Sequence, residues 1–179
     1  MKPPRIMIVS RGDTPVAARP DVVVQLRDKD ASAEQLAARA RTLAGRCVLS
    51  INRGGAEIDA RAVGADFIHL PESAPLPPAN TLPFGRSVHS VEAARTAAEA
   101  AAYLVAGPIW PSTDKPSGLG LATFARICTV AGVTPVFGIG GITSIERAAE
   151  VLTVGAHGVA GIRAFSGAFV DELVRLIAG

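Results

Sequence analysis

His89 closes the apolar-led run "PFGRSVHS" (83–90), just ahead of the Ala-rich segment "VEAARTAAEAAA". An imidazole is the side chain best suited to moving protons near neutral pH. A histidine at a strand end therefore reads in two ways, as a satisfied structural residue or as an acid/base. The stretch "QLRDKD" sets Gln25, Arg27 and Lys29 at alternate positions. While that chain stays extended the three share one side, and two cations there would attract phosphate or carboxylate. A solvated strand end is the simpler reading of each residue taken alone. "GIGGI" (138–142) runs into Thr143 and Ser144 ahead of a helical pattern, and "GVAGIRA" (158–164) carries glycines in the next loop. Glycines let backbone N–H groups approach a ligand, and a helix N-terminus adds free donors and partial positive charge. Gly140, Gly141, Gly161, Ile162 and Arg163 are accordingly the candidate phosphate-binding residues, against the competing reading of tight turns that need glycine. "GPIWPSTDKPSGLG" (107–120) brings Ser112, Thr113 and Lys115 into one Pro- and Gly-bounded loop. Such a loop could close over a substrate, or be an ordinary surface turn. Asn52, Glu72 and Ser87 complete the set of polar residues at run ends. His69, inside an apolar run, and His157 read as packing or surface residues. No His/Cys/Asp/Glu spacing suggests a metal site, and none is expected.

Something must hold these residues together, and the apolar runs say what. "RIMIVS" (5–10), "DVVVQLR" (21–27), "CVLSI" (47–51), "FIHL" (67–70), "FGRSVH" (84–89), "YLVAG" (103–107), "PVFGIG" (135–140) and "GVAGI" (158–162) recur along the chain. Several are almost continuously apolar, as parallel strands buried on both faces are. Helical patterns lie between most of them. "SAEQLAARARTLA" (32–44) opens with Ser32 and has Gln35 three residues on, a capping box. "SVEAARTAAEAAA" (90–102) and "SIERAAEVLTVG" (144–155) each begin on a serine N-cap, and "AFVDELVRLIAG" ends the chain. Eight strands alternating with helices predict an α/β fold, a single (β/α)8 TIM barrel over residues 1–179, with an open doubly wound sheet as the alternative. No G-x-G-x-x-G follows the first strand, which weakens a dinucleotide-binding reading. The barrel is expected to be trimmed. "RGDTPVAARP" and the Pro-rich "PESAPLPPANTLP" (71–83) are poor helix formers, so the first helix and the fourth helix region should be short.

Composition excludes several classes. Hydrophobic residues make up 49% of the 179, charged residues 19%, and the formal net charge is only +2. That is a globular composition with no basic surface for nucleic acid, and 4% aromatics leave no base-stacking platform. The N-terminal "IMIV" is too short for a signal-peptide core, and no apolar stretch approaches the ~20 residues of a membrane helix. Two cysteines in no ligand-like spacing fit a reducing interior, so a cytoplasmic protein with no membrane partner is expected. A homo-oligomeric assembly is left open by the sequence.

In this order, the segments resemble the family of thiamine-phosphate synthase and its relative TenI, the thiazole tautomerase. "VQLRDKD", "VGADFIHLPE", "GRSVHS", "GPIWPSTDK", "VFGIGGI" and "VGAHGVAGIRA" each resemble the family motif at the matching strand, over nearly the whole chain. The resemblance implies a (β/α)8 barrel and substrate contacts from Gln25, Arg27, Lys29, Asn52, Ser87, Ser112 and Lys115. Two departures bear on the reaction. Synthases carry magnesium-binding carboxylates where this chain has Arg53, in "INRGG", and Ala74, in "HLPESA". Asp114 also stands where a hydroxyl is expected, and would repel pyrophosphate. "HLPE" and "GRSVHS" look more like the tautomerase branch, whose fifth-strand histidine, here His89, is a general acid/base. The resemblance thus implies a cofactor- and metal-independent isomerase acting on a phosphorylated thiazole. A magnesium-dependent synthase and a non-catalytic phosphate-binding paralogue are the alternatives. Arg163 stands where the family has serine, which implies a different phosphate grip.

Overall fold

The computed structural model describes residues 1–11, 16, 18–52, 58–111 and 117–179. Eight parallel strands pair in chain order: β1 (Ile6–Ser10), β2 (Val22–Leu26), β3 (Val48–Asn52), β4 (Phe67–Leu70), β5 (Phe84–Val88), β6 (Tyr103–Ala106), β7 (Val136–Ile139) and β8 (Gly158–Gly161). β8 returns to β1, with Val159 opposite Ile6, so the sheet closes and the open-sheet alternative falls. The near-continuous apolar runs form these strands because both faces are covered: β1, β2, β4, β6 and β8 are buried at every residue.

Helices α1 (Ala33–Leu43), α2 (Val91–Ala98), α3 (Gly120–Ala131), α4 (Ile145–Thr153) and α5 (Gly167–Ala178) pack outside the barrel. Local sequence starts three of them. Ser32 accepts from Gln35 N–H while the Gln35 side chain accepts from Ser32 N–H, completing the capping box, and Ser90 and Ser144 cap α2 and α4. α3 has no side-chain cap. Its entry is held by the preceding loop instead: Leu119 N–H donates to Pro108 O at 2.8 Å and Gly120 N–H to Ile109 O at 2.9 Å.

Among the described residues, the connections β1–β2, β3–β4 and β4–β5 contain no α-helix. Prolines foretell the first and third. The second is a departure from the sequence reading with a local cause. Asp59 Oδ1 accepts from both Arg61 and Ala62 N–H, which makes a turn of that segment, and Gly64 follows with φ 78°. The Pro-rich loop 71–83 is held by a side chain in place of a helix. Arg86, only 8% exposed, donates from its guanidinium to the carbonyls of Ala74 (2.7 Å), Glu72 (3.0 Å) and Pro75 (3.2 Å).

The core has two parts. A shell of Ile, Leu, Val and Ala side chains fills the space between sheet and helices. The barrel interior holds Met7, Val9, Val23, Phe67, Tyr103, Val105, Phe137 and Ala160. Tyr103 is its centre, edge-on to Phe67 at 5.5 Å and to Phe137 at 5.7 Å, contacts worth about 0.5–1.5 kcal/mol each beyond burial. Its ring occupies the place a side chain at position 85 would need: a Cβ on Gly85 would lie 2.0 Å from Tyr103 Cζ.

Candidate functional site

At the C-terminal ends of the strands a cavity of about 960 Å³ opens into the barrel. Gln25, Arg27, Lys29, Asn52, Ser87, His89, Gly140, Gly141, Gly161, Ile162 and Arg163 all line it. Ser112 and Lys115, with Thr113, Asp114 and Arg53, lie outside the described residues.

His89 sits one residue beyond β5, not within the strand as the run "FGRSVH" suggests. The alternation of that run is as read. Val88 is buried in the outer shell, while Ser87 and His89 reach the cavity. Three contacts hold the His89 unit. Nδ1 lies 2.5 Å from the carbonyl oxygen of Gly107, the backbone N–H donates to Glu72 Oε2 at 2.6 Å, and the next residue, Ser90, caps α2. A carbonyl only accepts, so Nδ1 carries the hydrogen, and the neutral ring keeps its lone pair on Nε2. Arg86 completes the support by pinning the loop that delivers Glu72.

Cations dominate the lining. Arg11, Arg27, Lys29, Arg147 and Arg163 face one carboxylate, Glu72, among the described lining residues. Burial lowers the pKa of the half-buried Arg27, and the like charge of Arg11 adds to it, so an anion between them would relieve both effects. Arg147, in the first turn of α4, has no counterpart in the sequence reading. Its guanidinium lies 4.9 Å from the centre of the Trp110 ring, and Nη1 donates to Gly141 O at 2.6 Å. Its place beside the glycine turn, three residues after the Ser144 cap, was the available signal.

Gly140 and Gly141 adopt φ 96° and 72°. A Cβ on them would come within 2.5 Å of Pro108 Cβ and 2.6 Å of Trp110 Cβ respectively. Trp110 N–H also donates to Gly140 O at 3.3 Å. The turn therefore needs glycine for its own geometry and for the passage of the 107–110 segment, whatever it binds.

His69 is the packing residue the sequence suggests, with one addition. It is buried, as a packing residue would be, but its ring faces into the barrel and reaches the cavity floor. Nε2 lies 2.9 Å from Ser87 Oγ and Nδ1 3.2 Å from the Tyr103 hydroxyl, which is 2.9 Å from Ser50 Oγ. Gln25 donates from Nε2 to Met7 Sδ at 3.6 Å and accepts from Asn52 Nδ2 at 3.4 Å. Burial pushes His69 down to about 3, with Arg27 and Arg86 adding to the effect, and burial raises Tyr103. Both are neutral in the working range. The alternation of "FIHL" around inward-facing Phe67 was the signal for His69. His157, by contrast, precedes β8, where its Nε2 contacts Pro3 O at 2.8 Å.

A pyrophosphate-bound magnesium needs carboxylate oxygens. Position 74 supplies none: Ala74 packs against the shell, and the nearby Glu72 carboxylate is engaged by His89 N–H. Among the described residues no three His, Cys, Asp or Glu side chains gather to hold a metal. Among the described residues, this donor set does not fit a magnesium site. The thiols of Cys47 and Cys128 are each pushed up to about 11 by burial, which makes them poor nucleophiles. No helix among the described residues is long and apolar enough to cross a membrane.

A family model described as thiamine monophosphate synthase matches residues 16–165. A thiamine-phosphate synthase of Mycobacterium marinum is 35% identical over 170 residues, covering 82% of this chain and 76% of the relative. A putative thiamine-phosphate synthase 2 of Aquifex aeolicus is 34% identical over 158 residues, covering 80% and 82%. Among solved structures, a thiamine phosphate pyrophosphorylase from Bacteroides thetaiotaomicron matches with a TM-score of 0.61 over 96% of this chain and 92% of its own, at 17% identity. At that identity the structural likeness speaks for the barrel alone.

Proposed function

The chain belongs to the thiamine monophosphate synthase family, and from that premise we propose that it is a metal-independent tautomerase that aromatises a carboxythiazole phosphate. His89 carries the reading. Its Nδ1 is tied to Gly107 O, so its Nε2 is the atom left to exchange protons with a bound ligand. Tautomerisation leaves the formula unchanged: a proton leaves one position of the thiazole and one is delivered to another. Nε2 takes the first, and the imidazolium so formed keeps its Nδ1–H bond to Gly107 O. Nε2–H then delivers a proton at the second position. No electron acceptor or metal is required.

The rest of the cavity suits such a ligand. Arg27 and Lys29, with Arg11, form a cationic wall for the carboxylate, and Gln25, Asn52 and Ser87 offer neutral hydrogen bonds. The phosphate is assigned to the turns after β7 and β8, on the N–H groups of Gly140, Gly141, Gly161 and Ile162, with Arg163 and Arg147 at its edge. Crystals soaked in millimolar phosphate are expected to show the anion at these four residues. Density only at the Arg11–Arg27 wall, or none in the cavity, would refute the assignment.

The names of the relatives favour a second reading, synthase activity on a pyrimidine pyrophosphate and thiazole phosphate. Ala74, which offers magnesium no side-chain oxygen, weighs against it. The expected result is no condensation above background with or without magnesium, while aromatic thiazole accumulates in the ultraviolet spectrum when the tautomer is supplied. Condensation at an ordinary enzymatic rate of ~1–10³ per second would reverse the two readings. Ligand binding with neither activity would identify a non-catalytic paralogue.

A further inference from the structure

The polar floor of the cavity is one connected object. Ser87 on β5 touches His69 on β4, His69 touches Tyr103 on β6, and Tyr103 touches Ser50 on β3. Beside it, Asn52 donates to Gln25 Oε1. The chain thus runs from the cavity wall at Ser87 into the barrel interior at Ser50. Among the described residues no buried side-chain nitrogen or oxygen lacks a partner, so this floor is fully satisfied.

Each link has a direction. A neutral imidazole has one N–H and one lone pair, and a hydroxyl has one proton to give. Two proton orders satisfy the whole chain. In one, Ser87 donates to His69 Nε2, Nδ1–H donates to Tyr103, and Tyr103 donates to Ser50. In the other every bond runs the opposite way. Ser50 donates to Tyr103, Tyr103 donates to Nδ1, Nε2–H donates to Ser87, and the Ser87 proton turns to the cavity. Either order leaves the floor uncharged.

The cavity decides between them. Arg11, Arg27, Lys29 and Arg147 call for a ligand rich in acceptors, and only the second order gives such a ligand a proton from Ser87. We propose that His69 and Tyr103 are positioning residues: on binding an anionic ligand they lock the floor with the proton on His69 Nε2, making the Ser87 hydroxyl a directed hydrogen-bond donor. Burial holds His69 neutral throughout the working range, so the lock does not fail through protonation. The floor itself requires no particular reaction, but its ligand-bound state rests on the tautomerase reading, since the ligand there is a carboxythiazole phosphate.

Nitrogen-15 spectra of the histidine ring in the intact chain test this directly. Saturated with carboxythiazole phosphate, His69 is expected as the Nε2–H tautomer, unprotonated from pH 5 to 8. Tyr103→Phe keeps the aromatic packing but removes the donor to Nδ1. It should shift the Nδ1 resonance in the free and bound protein and weaken ligand binding about 3- to 10-fold, one net hydrogen bond. Ser87→Ala, at the cavity wall, should shift Nε2 and leave Nδ1, bonded to Tyr103, nearly unmoved. An Nδ1–H tautomer in the complex, titration of His69 near 6.5, or an Nδ1 resonance indifferent to Tyr103→Phe would each overturn the proposal. If carboxythiazole phosphate does not bind, the tautomerase reading fails together with the ligand-directed lock. The free-protein spectra then show separately whether the floor is ordered as described.

Discussion

His89→Asn is expected to slow aromatisation of the thiazole tautomer by about 10²–10⁴-fold, the range a positioned acid/base contributes, with little change in KM. The substitution keeps a polar side chain able to donate to Gly107 O, but removes the group that can bind and release a proton. The cations and glycine turns that would hold the ligand do not depend on the imidazole, which is why the loss should fall on kcat. Ser90 and α2 remain, as does the Glu72 contact, because Glu72 accepts from the backbone N–H of residue 89. The variant should therefore fold. A kcat within twofold of wild type in a folded His89→Asn protein would remove His89 from the mechanism and leave the cavity without its assigned proton carrier.

The contrast between what the chain revealed and what it withheld follows from the range of the interactions. Strand positions were readable because burial on both faces leaves an unbroken apolar run, and each observed strand end lies within one residue of the expected one. α1, α2 and α4 were readable because their start signals are local, a serine and the N–H groups two or three residues on. α3 carries no such signal, since its first turn is anchored by carbonyls of the 108–109 segment. Ser87 and His89 could be placed by alternation from a single run. His69 could not be given its part in the floor in the same way. Its meaning depends on Ser87, 18 residues on, and on Tyr103, 34 residues on, brought together only by barrel closure. Arg147 was legible only in part: Gly141 is a local neighbour in the turn that leads into α4, but Trp110 comes from another loop.

His69 also makes the fold sensitive to acid, and the sign follows from its depressed pKa. In the unfolded chain the ring binds a proton as the pH falls through about 6.5, whereas in the barrel it resists protonation down to about 3. Below 6.5 the unfolded state therefore holds more protons, and stability is lost progressively as the pH drops through that window. Above 6.5 the contribution is complete. From pH 7 to pH 4 the loss from this one group is on the order of 3 kcal/mol, a large fraction of the stability of an ordinary domain. His157, also lowered by burial, acts in the same direction, so the wild-type curve alone does not isolate His69. His69→Gln does. The amide can still bond Ser87 and Tyr103 but has no proton to bind in this range, and Arg27 and Arg86, the cations that disfavour a charged ring, stay charged throughout. Denaturant unfolding at pH 7 and pH 4 should show the variant losing about 3 kcal/mol less than wild type on acidification, even if it starts less stable at pH 7. Equal losses in the two proteins would mean that His69 is not held neutral by the barrel. The contrast with His89 is then one of placement: a fully buried imidazole keeps the floor uncharged, while an exposed one at the strand end is left to exchange protons with the ligand.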